Sequence, residues 1–178
     1  MALRLSEAPG RRFGAQSVLR TRRVPIVRVT RLDRTAIEAI IPHREPFIFV
    51  DEIVEVEYGR RAVGLIRDVG AFAHLLSGHF PGYPVMPGAL LVEALAEVGA
   101  VAALGLPENI GKIAMLTGLD NWRFRRPALP GQAVRLEVVL TARRSNYGKG
   151  HAVATGDAGV LAEGDMSFAI VDRPAELS

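Results

Sequence analysis

The sequence predicts a single α+β domain in which a curled antiparallel sheet wraps around one long central helix. The segment from Pro87 to about Leu104 is apolar on nearly every side, and a helix of that kind must be enclosed by other structure. Two strand-like runs precede this segment and four follow it. No repeat or linker divides the chain, whose 178 residues suffice to bury one core without disulfides.

A short helix and a hairpin are predicted before the long helix. Asp33 is a residue type that caps helix N-termini, and the isoleucines of "RTAIEAII" follow with helical spacing up to Pro42. Apolar and charged residues alternate over 50–56, which is typical of a strand with one wet face. The stretch "EYGRR" is predicted as a turn and "RAVGLIRDV" as the second strand.

The remaining elements follow from turn residues and apolar runs. Residues 71–86 are rich in glycine and proline and are predicted to be irregular, and Pro87 is predicted as the first helical residue. After "LPENIG" we expect four strands, separated by the turns "PALPGQ", "RRSNYGKG" and "GDAG". They are Ile113–Phe124, Ala133–Ala142, Gly150–Thr155 and Val160–Val171.

The positive charge is concentrated at the N-terminus. Residues 1–34 hold nine arginines against two acidic residues, whereas the rest of the chain has 13 basic and 17 acidic residues. We therefore interpret residues 1–31 as a basic, poorly ordered extension and 32–178 as the domain. The extension has neither aromatic interleaving nor a base-reading module, which argues against nucleic acid as the partner.

The sequence predicts a cytoplasmic protein without a membrane span. No apolar run reaches the roughly 18 to 20 uncharged residues that a span requires. The lack of cysteine fits a reducing compartment. An Arg-rich, acid-poor N-terminus is also the composition of an organellar presequence, so an organellar location is the alternative.

The candidate chemistry lies in "GHFPGYPVMPGALLVEALAE", residues 78–97. Glu93 has apolar neighbours in the long helix, and a buried carboxyl with a raised pKa can act as a general acid. The alternative is that Glu93 faces a wet crevice or a basic partner. Glu97 shares its helix face at i+4, and we expect its side chain to reach the rim of the pocket and to hydrogen-bond structural groups there; burial of both carboxyls in one pocket is the alternative.

His79 and Gly88 complete this set. His79 lies in a proline-rich loop beside the helix, where it could act as a base. Gly88 opens the helix with free N–H groups that a substrate oxygen could approach. Base, donor and acid together could remove water from a substrate with a carbonyl group. No metal site is predicted, because His43, His74 and His151 lack ligand spacing.

Three motifs resemble one enzyme family. "IPHREPFIFVDEI" (41–53), "GHFPGYPVMPGALLVEALAEVGAVAAL" (78–104) and "GLDNWRFRRPALPGQAVRLEV" (118–138) closely resemble the (3R)-hydroxyacyl-[acyl-carrier-protein] dehydratases of the FabZ type. The resemblance runs from about Thr35 to Val171. It implies a hotdog fold, a homodimer that commonly assembles into a hexamer, and active sites at the dimer interface.

The resemblance also implies roles. The catalytic histidine falls on His79 and the catalytic glutamate on Glu93, contributed by different subunits, and the carbonyl-binding N–H falls on Gly88. Water is lost reversibly from a (3R)-hydroxyacyl thioester on acyl carrier protein, without metal or organic cofactor. The sister family that isomerises the product has aspartate at position 93. The family typically has glutamine where this chain has Glu97.

Three further expectations accompany this interpretation. An apolar tunnel for the acyl chain is expected beside the helix, lined by Leu90, Leu91 and Val92. Exposed arginines are candidates for contacting the acidic carrier protein, with a solvated surface as the alternative; they are Arg123, Arg125 and Arg126, with Arg143 and Arg144 as a second cluster. The alternative functions are a hotdog thioesterase and a non-catalytic subunit that binds acyl carriers.

Overall fold

The computed structural model describes residues 28–174, and these form one antiparallel sheet around a long helix. Three α-helices occur in this range: α1 (Arg34–Glu38), α2 (Ala73–Leu76) and α3 (Gly88–Leu104). The seven strands are β1 (Arg28–Val29), β2 (Glu52–Glu57), β3 (Arg61–Ile66), β4 (Lys112–Phe124), β5 (Val134–Arg144), β6 (Tyr147–Gly156) and β7 (Gly159–Asp172). The predicted fold class is confirmed.

The strands follow the order β1-β2-β3-β5-β6-β7-β4, and every neighbouring pair is antiparallel. The long strands β4 to β7 form one half of the sheet, and β4 lies at its edge. Register shifts occur in four of the pairs, for example between Asp120 and Arg123 of β4. Such irregularities bend and twist strands, which allows the sheet to curl around α3.

Helix α3 is the centre of the core. Twelve of its 17 residues are buried, among them Leu91, Leu95, Val98 and Val101. Burying each large aliphatic side chain contributes roughly 1.5–3 kcal/mol. Because α3 contacts strands of both halves of the sheet, the helix fixes their relative positions and so positions any site at its N-terminus.

Two glycines allow close packing between α3 and the sheet. A Cβ atom added to Gly64 of β3 would lie 2.7 Å from Val98 Cγ2, far inside van der Waals contact. A Cβ at Gly99 of α3 would lie 3.3 Å from Val138 of β5. The helix therefore sits directly over backbone at these positions.

Most predicted elements are confirmed, with differences at their ends. Asp33 caps α1 by accepting a hydrogen bond from the N–H of Ala36 at 2.9 Å, and β2 and β3 form the predicted hairpin. Pro87 is the N-cap of α3, so the helix begins one residue later than predicted. The predicted turn "RRSNYGKG" was too long: β5 and β6 extend to Arg144 and Tyr147, and Ser145 takes a φ of 55° in the tight connection.

The predicted extension of residues 1–31 is only partly described. Residues 1–27 lie outside the described residues, whereas 28–31 are described. Arg28 and Val29 pair with β2, and Arg31 forms an ion pair with Glu52 at 2.7 Å. Arg28, Val29 and Arg31 therefore contact the sheet, and the assignment of residues 1–31 to a poorly ordered extension otherwise stays a prediction. No helix within 28–174 has both the length and the apolar character needed to cross a membrane.

The contact between Gly64 and Val98 yields a stability prediction. We expect Gly64→Ala to lower the free energy of unfolding by about 1–3 kcal/mol, because an added methyl overpacks a closed core. Gly78→Ala is the matched control, since nothing lies within 4 Å of a Cβ at that position. Chemical denaturation of both variants at equal protein concentration measures the difference. Equal stabilities would contradict the proposed close packing.

Candidate active site

The loop before α3 holds the His79 side chain in one orientation. The His79 carbonyl accepts a hydrogen bond from the N–H of Val85 at 2.9 Å, and His79 Nδ1 lies 3.0 Å from the Val85 carbonyl oxygen. A carbonyl can only accept, so Nδ1 carries the hydrogen and donates it. In the neutral ring Nε2 is then unprotonated and is available as a proton acceptor.

His79 lines a cleft of about 540 Å³ at the N-terminus of α3, which we call the His79 cleft. Its walls include Gly88, Leu91 and the exposed residues Phe124 and Arg125. The α3 terminus has no side-chain cap, and the N–H of Gly88 donates to no other backbone carbonyl within the described chain. First-turn N–H groups of this kind are free to bind a ligand oxygen.

Packing also favours glycine at position 88. A Cβ there would lie 2.7 Å from the Phe124 ring, so a larger residue would have to displace this exposed ring. Phe124 in turn stacks on Trp122 with a centroid distance of 6.1 Å. The carbonyl-binding role of Gly88 stays a prediction, but its surroundings are those of an apolar wall beside free N–H groups.

Glu93 opens into a second cleft of about 590 Å³, which we call the Glu93 cleft. Val92 and Trp122 line it together with Leu116 and Leu119 of β4. Ala89 and Phe124 line both clefts and separate them. Within one chain, His79 and Glu93 therefore face different cavities.

Glu93 is not in the fully buried environment that its sequence neighbours suggested. Its side chain is 24% exposed, and its Oε1 atom lies 3.3 Å from Nε2 of His43. This contact and the neighbouring charge of Glu97 raise the pKa of His43 above its ordinary value, although burial opposes the shift. His43 Nδ1 is buried and has no hydrogen-bond partner among the described residues.

Glu97 occupies the environment that the sequence suggested for Glu93. The expected rim position of Glu97 is wrong, because its side chain has 0% exposure. Its carboxylate accepts hydrogen bonds from the N–H of Phe49 at 2.9 and 3.1 Å and from the N–H of Val50 at 3.1 Å. Burial raises the pKa of Glu97 to about 7, while these hydrogen bonds and His43 oppose the shift.

Sequence reasoning missed His43. His43 has no metal-ligand spacing, but it stands between two prolines in the turn before a strand that packs on α3. That placement was the available signal, because a turn of this kind is held rigidly against the helix face that carries Glu93. Among residues 28–174, no group of three or more potential ligand side chains is arranged to hold a metal.

The predicted arginines differ in their contacts. Arg125 forms an ion pair with Glu163, and Arg126 donates to the Val160 carbonyl at 3.0 Å, so both help to fix the segment after β4. The Arg123 side chain is exposed and makes no ion pair or hydrogen bond with another described residue, although its backbone pairs with β7 at Glu163. In the second cluster Arg143 pairs with Glu108 at 2.7 Å, and Arg144 is exposed.

The expected tunnel residues do not share one cavity. Leu91 lines the His79 cleft and Val92 lines the Glu93 cleft. Leu90 lines neither of these two clefts and packs against the core instead. The apolar surface next to Glu93 comes chiefly from β4, which sequence reasoning did not assign to the site.

The buried carboxyl of Glu97 yields a prediction for pH-dependent stability. Its pKa is raised from 4.5 to about 7 in the folded state, so its contribution to stability is present below pH 4.5 and is lost as pH rises through 7. Between pH 5 and 8 we expect the wild-type protein to lose about 2–3 kcal/mol of unfolding free energy relative to Glu97→Gln. Denaturant titrations of both proteins across this range measure the difference, and a constant difference would contradict the assignment.

Comparisons with known proteins agree with this architecture. A family model described as a FabA-like domain matches residues 41–165. Solved structures with the same fold include the dehydratase heterocomplex ApeI:P from Xenorhabdus doucetiae, with a TM-score of 0.64 and 16% identity over 77% of this chain and 91% of that chain. Cj0977, a virulence protein from Campylobacter jejuni, has a TM-score of 0.56 and 13% identity over 76% and 85%. At these identities the likeness supports the fold alone.

Curated relatives are far more similar in sequence. The 3-hydroxyacyl-[acyl-carrier-protein] dehydratase FabZ of Herpetosiphon aurantiacus is 56% identical over 134 residues, 75% of this chain and 94% of the relative. The proteins of the same name from Bacillus cereus and Geobacillus thermodenitrificans are each 51% identical and cover 80% and 81% of this chain and 98% and 99% of their own lengths. The chain therefore belongs to the FabA-like family of hotdog proteins and, within it, to the FabZ-type 3-hydroxyacyl-[acyl-carrier-protein] dehydratases.

Proposed function

We propose that this protein catalyses the reversible dehydration of (3R)-hydroxyacyl thioesters to trans-2-enoyl thioesters, with the acyl chain carried by acyl carrier protein in fatty acid biosynthesis. The observation that carries the proposal is the orientation of His79, whose Nδ1 faces the Val85 carbonyl so that Nε2 of the neutral ring can accept a proton; the Glu93 carboxyl lies in a neighbouring cleft. The printed activity of the relatives at 51–56% identity supports the same reaction.

In the proposed mechanism each group has one task. His79 Nε2 removes a proton from Cα, and the electrons of that C–H bond form the new double bond as the Cβ–O bond breaks. The N–H of Gly88 donates to the thioester oxygen and stabilises the enolate-like charge that develops there. Glu93 protonates the departing hydroxyl, which leaves as water. The proton on His79 then returns to solvent.

The two catalytic side chains meet across a dimer in this proposal. Strand β4 is a 13-residue edge strand, and it exposes four large apolar side chains. Long, apolar edge strands favour pairing with another chain. A second copy placed along β4 would cover the Glu93 cleft and would bring its own His79 loop to it. The exposed residues are Met115, Leu116, Leu119 and Phe124.

The hexameric assembly of the protein and its cellular location stay predictions. We propose that the dimers associate further into a hexamer, as the family resemblance implies. A cytoplasmic location is the proposal for a chain without cysteine. Residues 1–27, in which an organellar presequence would lie, are outside the described residues.

Mixing two inactive variants tests the two-chain site. We expect His79→Ala and Glu93→Gln each to lower hydration of a crotonyl thioester at least about 1,000-fold, because each removes a proton-transfer group. Co-expressed from one plasmid with different tags, they should form heterodimers in which one of two sites is intact. Random pairing then restores about a quarter of wild-type activity.

The controls separate the alternatives. Size-exclusion chromatography must show that each variant keeps the wild-type assembly. A mixture that stays inactive although heterodimers are isolated by their two tags would contradict the shared site. Release of free thiol without enoyl product by the wild-type protein would instead indicate a thioesterase, and neither product would indicate a non-catalytic role.

The exposed Arg123 tests the contact with acyl carrier protein. We expect Arg123→Glu to raise KM for a carrier-linked substrate about tenfold while KM for the N-acetylcysteamine thioester stays within twofold, because only the carrier has an acidic surface to repel. Arg144→Glu is the matched variant in the second cluster. Steady-state kinetics at two salt concentrations measure both. A selective effect of Arg144→Glu would move the docking surface to that cluster.

A further inference from the structure

The buried carboxyl of Glu97 has no task in the proposed reaction. It lies one helical turn after Glu93 and is covered completely by the core. A buried carboxyl is costly unless it accepts hydrogen bonds, and Glu97 accepts them from two successive backbone N–H groups. Phe49 and Val50 precede β2 and have no strand partner for these N–H groups. Glu97 therefore anchors this segment to α3.

The geometry suits a carboxylate better than an amide. Oε2 accepts from the N–H of Phe49 at 2.9 Å and from that of Val50 at 3.1 Å, and Oε1 also lies 3.1 Å from the nitrogen of Phe49. A glutamine oxygen could replace Oε2, but its NH2 group would then face the N–H of Phe49, donor against donor. Glutamine therefore keeps the two hydrogen bonds to the oxygen at the Oε2 position, loses the contact at Oε1, and removes the negative charge.

The anchored segment carries His43. Between Ile41 and Val50 the chain forms a compact turn, in which the N–H of Phe47 donates to the Arg44 carbonyl at 2.7 Å. The Arg44 guanidinium donates to the Ile41 carbonyl at 3.0 Å. Both ends of the turn are buried in the core. The turn is therefore fixed at both ends and sets the position of the His43 ring.

The His43 ring is placed against Glu93. Its Nε2 atom lies 3.3 Å from Glu93 Oε1, and both side chains are 24% exposed. The charged groups that affect the pKa of His43 are Glu93 and Glu97 of α3 and Arg44 of its own turn. The two carboxylates favour a proton on the ring, and Arg44 disfavours it. His43 can thus both orient Glu93 and hold a proton next to it.

We infer that Glu97 and His43 are positioning residues for Glu93: Glu97 anchors the 41–50 turn on α3, and the His43 ring held by that turn orients the Glu93 carboxyl and supplies it with a proton. The inference rests on the proposed dehydratase function. In each turnover Glu93 gives a proton to the leaving hydroxyl and regains one from His43. His43 is then reprotonated from solvent, which balances the proton that His79 releases.

Replacement of His43 tests its role in kinetics. We expect His43→Gln to lower kcat about 10- to 100-fold and to change KM less than twofold, because His43 does not line the Glu93 cleft and acts through Glu93 in this inference. His74→Gln is the matched control, since the His74 side chain is exposed on α2 and makes no hydrogen bond in the described structure. A wild-type kcat for His43→Gln would overturn the inference.

Glu97→Gln separates the charge of Glu97 from its anchoring role. We expect kcat at its optimal pH to stay within about threefold of wild type, because the amide oxygen keeps both N–H contacts. The alkaline limb of the kcat profile should move to lower pH by about 0.5 to 1 unit, because the ring loses a neighbouring negative charge. An unmoved limb would overturn the assigned role of the charge.

A measurement without substrate separates this inference from the proposed function. In protein labelled with 13C at histidine Cε1, the His43 signal is identified by its loss in His43→Gln. We expect its titration midpoint to fall by about 0.5 to 1 unit in Glu97→Gln, with His74 unchanged. An unchanged His43 midpoint in Glu97→Gln would overturn the inference that Glu97 acts on His43. If the midpoint does shift but the wild-type protein has no dehydratase activity, the proposed function is overturned instead.

Discussion

The enclosure of α3 by the sheet is the constraint on which the rest of the structure depends. A helix with buried residues on nearly every side gains its stability from the strands around it, and it fixes them in return. Its one exposed end, the N-terminus, then becomes the place where free N–H groups, the His79 loop and the end of β4 converge. The same enclosure explains why an acidic side chain in the middle of α3 must find backbone donors, as Glu97 does at Phe49 and Val50.

The sequence predicted the fold well because apolar periodicity is a local signal with few solutions. The all-round apolar character of 87–104 has no stable alternative to enclosure, and the strands on either side leave a curled antiparallel sheet as the arrangement. Element ends were less predictable. The tight connection at Ser145 depends on one residue with positive φ. Because "RRSNYGKG" contains several turn-forming residues, the sequence does not indicate which of them forms the turn.

The site was predicted less completely, because burial depends on contacts that are distant in sequence. Glu93 and Glu97 have equally apolar neighbours along the helix, yet β2 and the preceding turn cover Glu97, and Glu93 faces a cleft. His43 is 50 residues away from Glu93, and helical spacing gives no sign of their contact. The apolar side chains of β4 that line the Glu93 cleft were assigned correctly to a strand, but their place at the sheet edge follows only from the strand order.

The separation of His79 and Glu93 into two clefts of one chain has a consequence for the life of the protein in a cell. On the proposed two-chain site, a newly synthesised chain carries every catalytic group and is nevertheless inert until it meets a second copy. Activity at low expression would then rise with the square of chain concentration rather than in proportion to it. A substitution on the outer edge of β4 would then affect both catalysis and dimer assembly. This strand would therefore tolerate fewer substitutions than its exposure suggests.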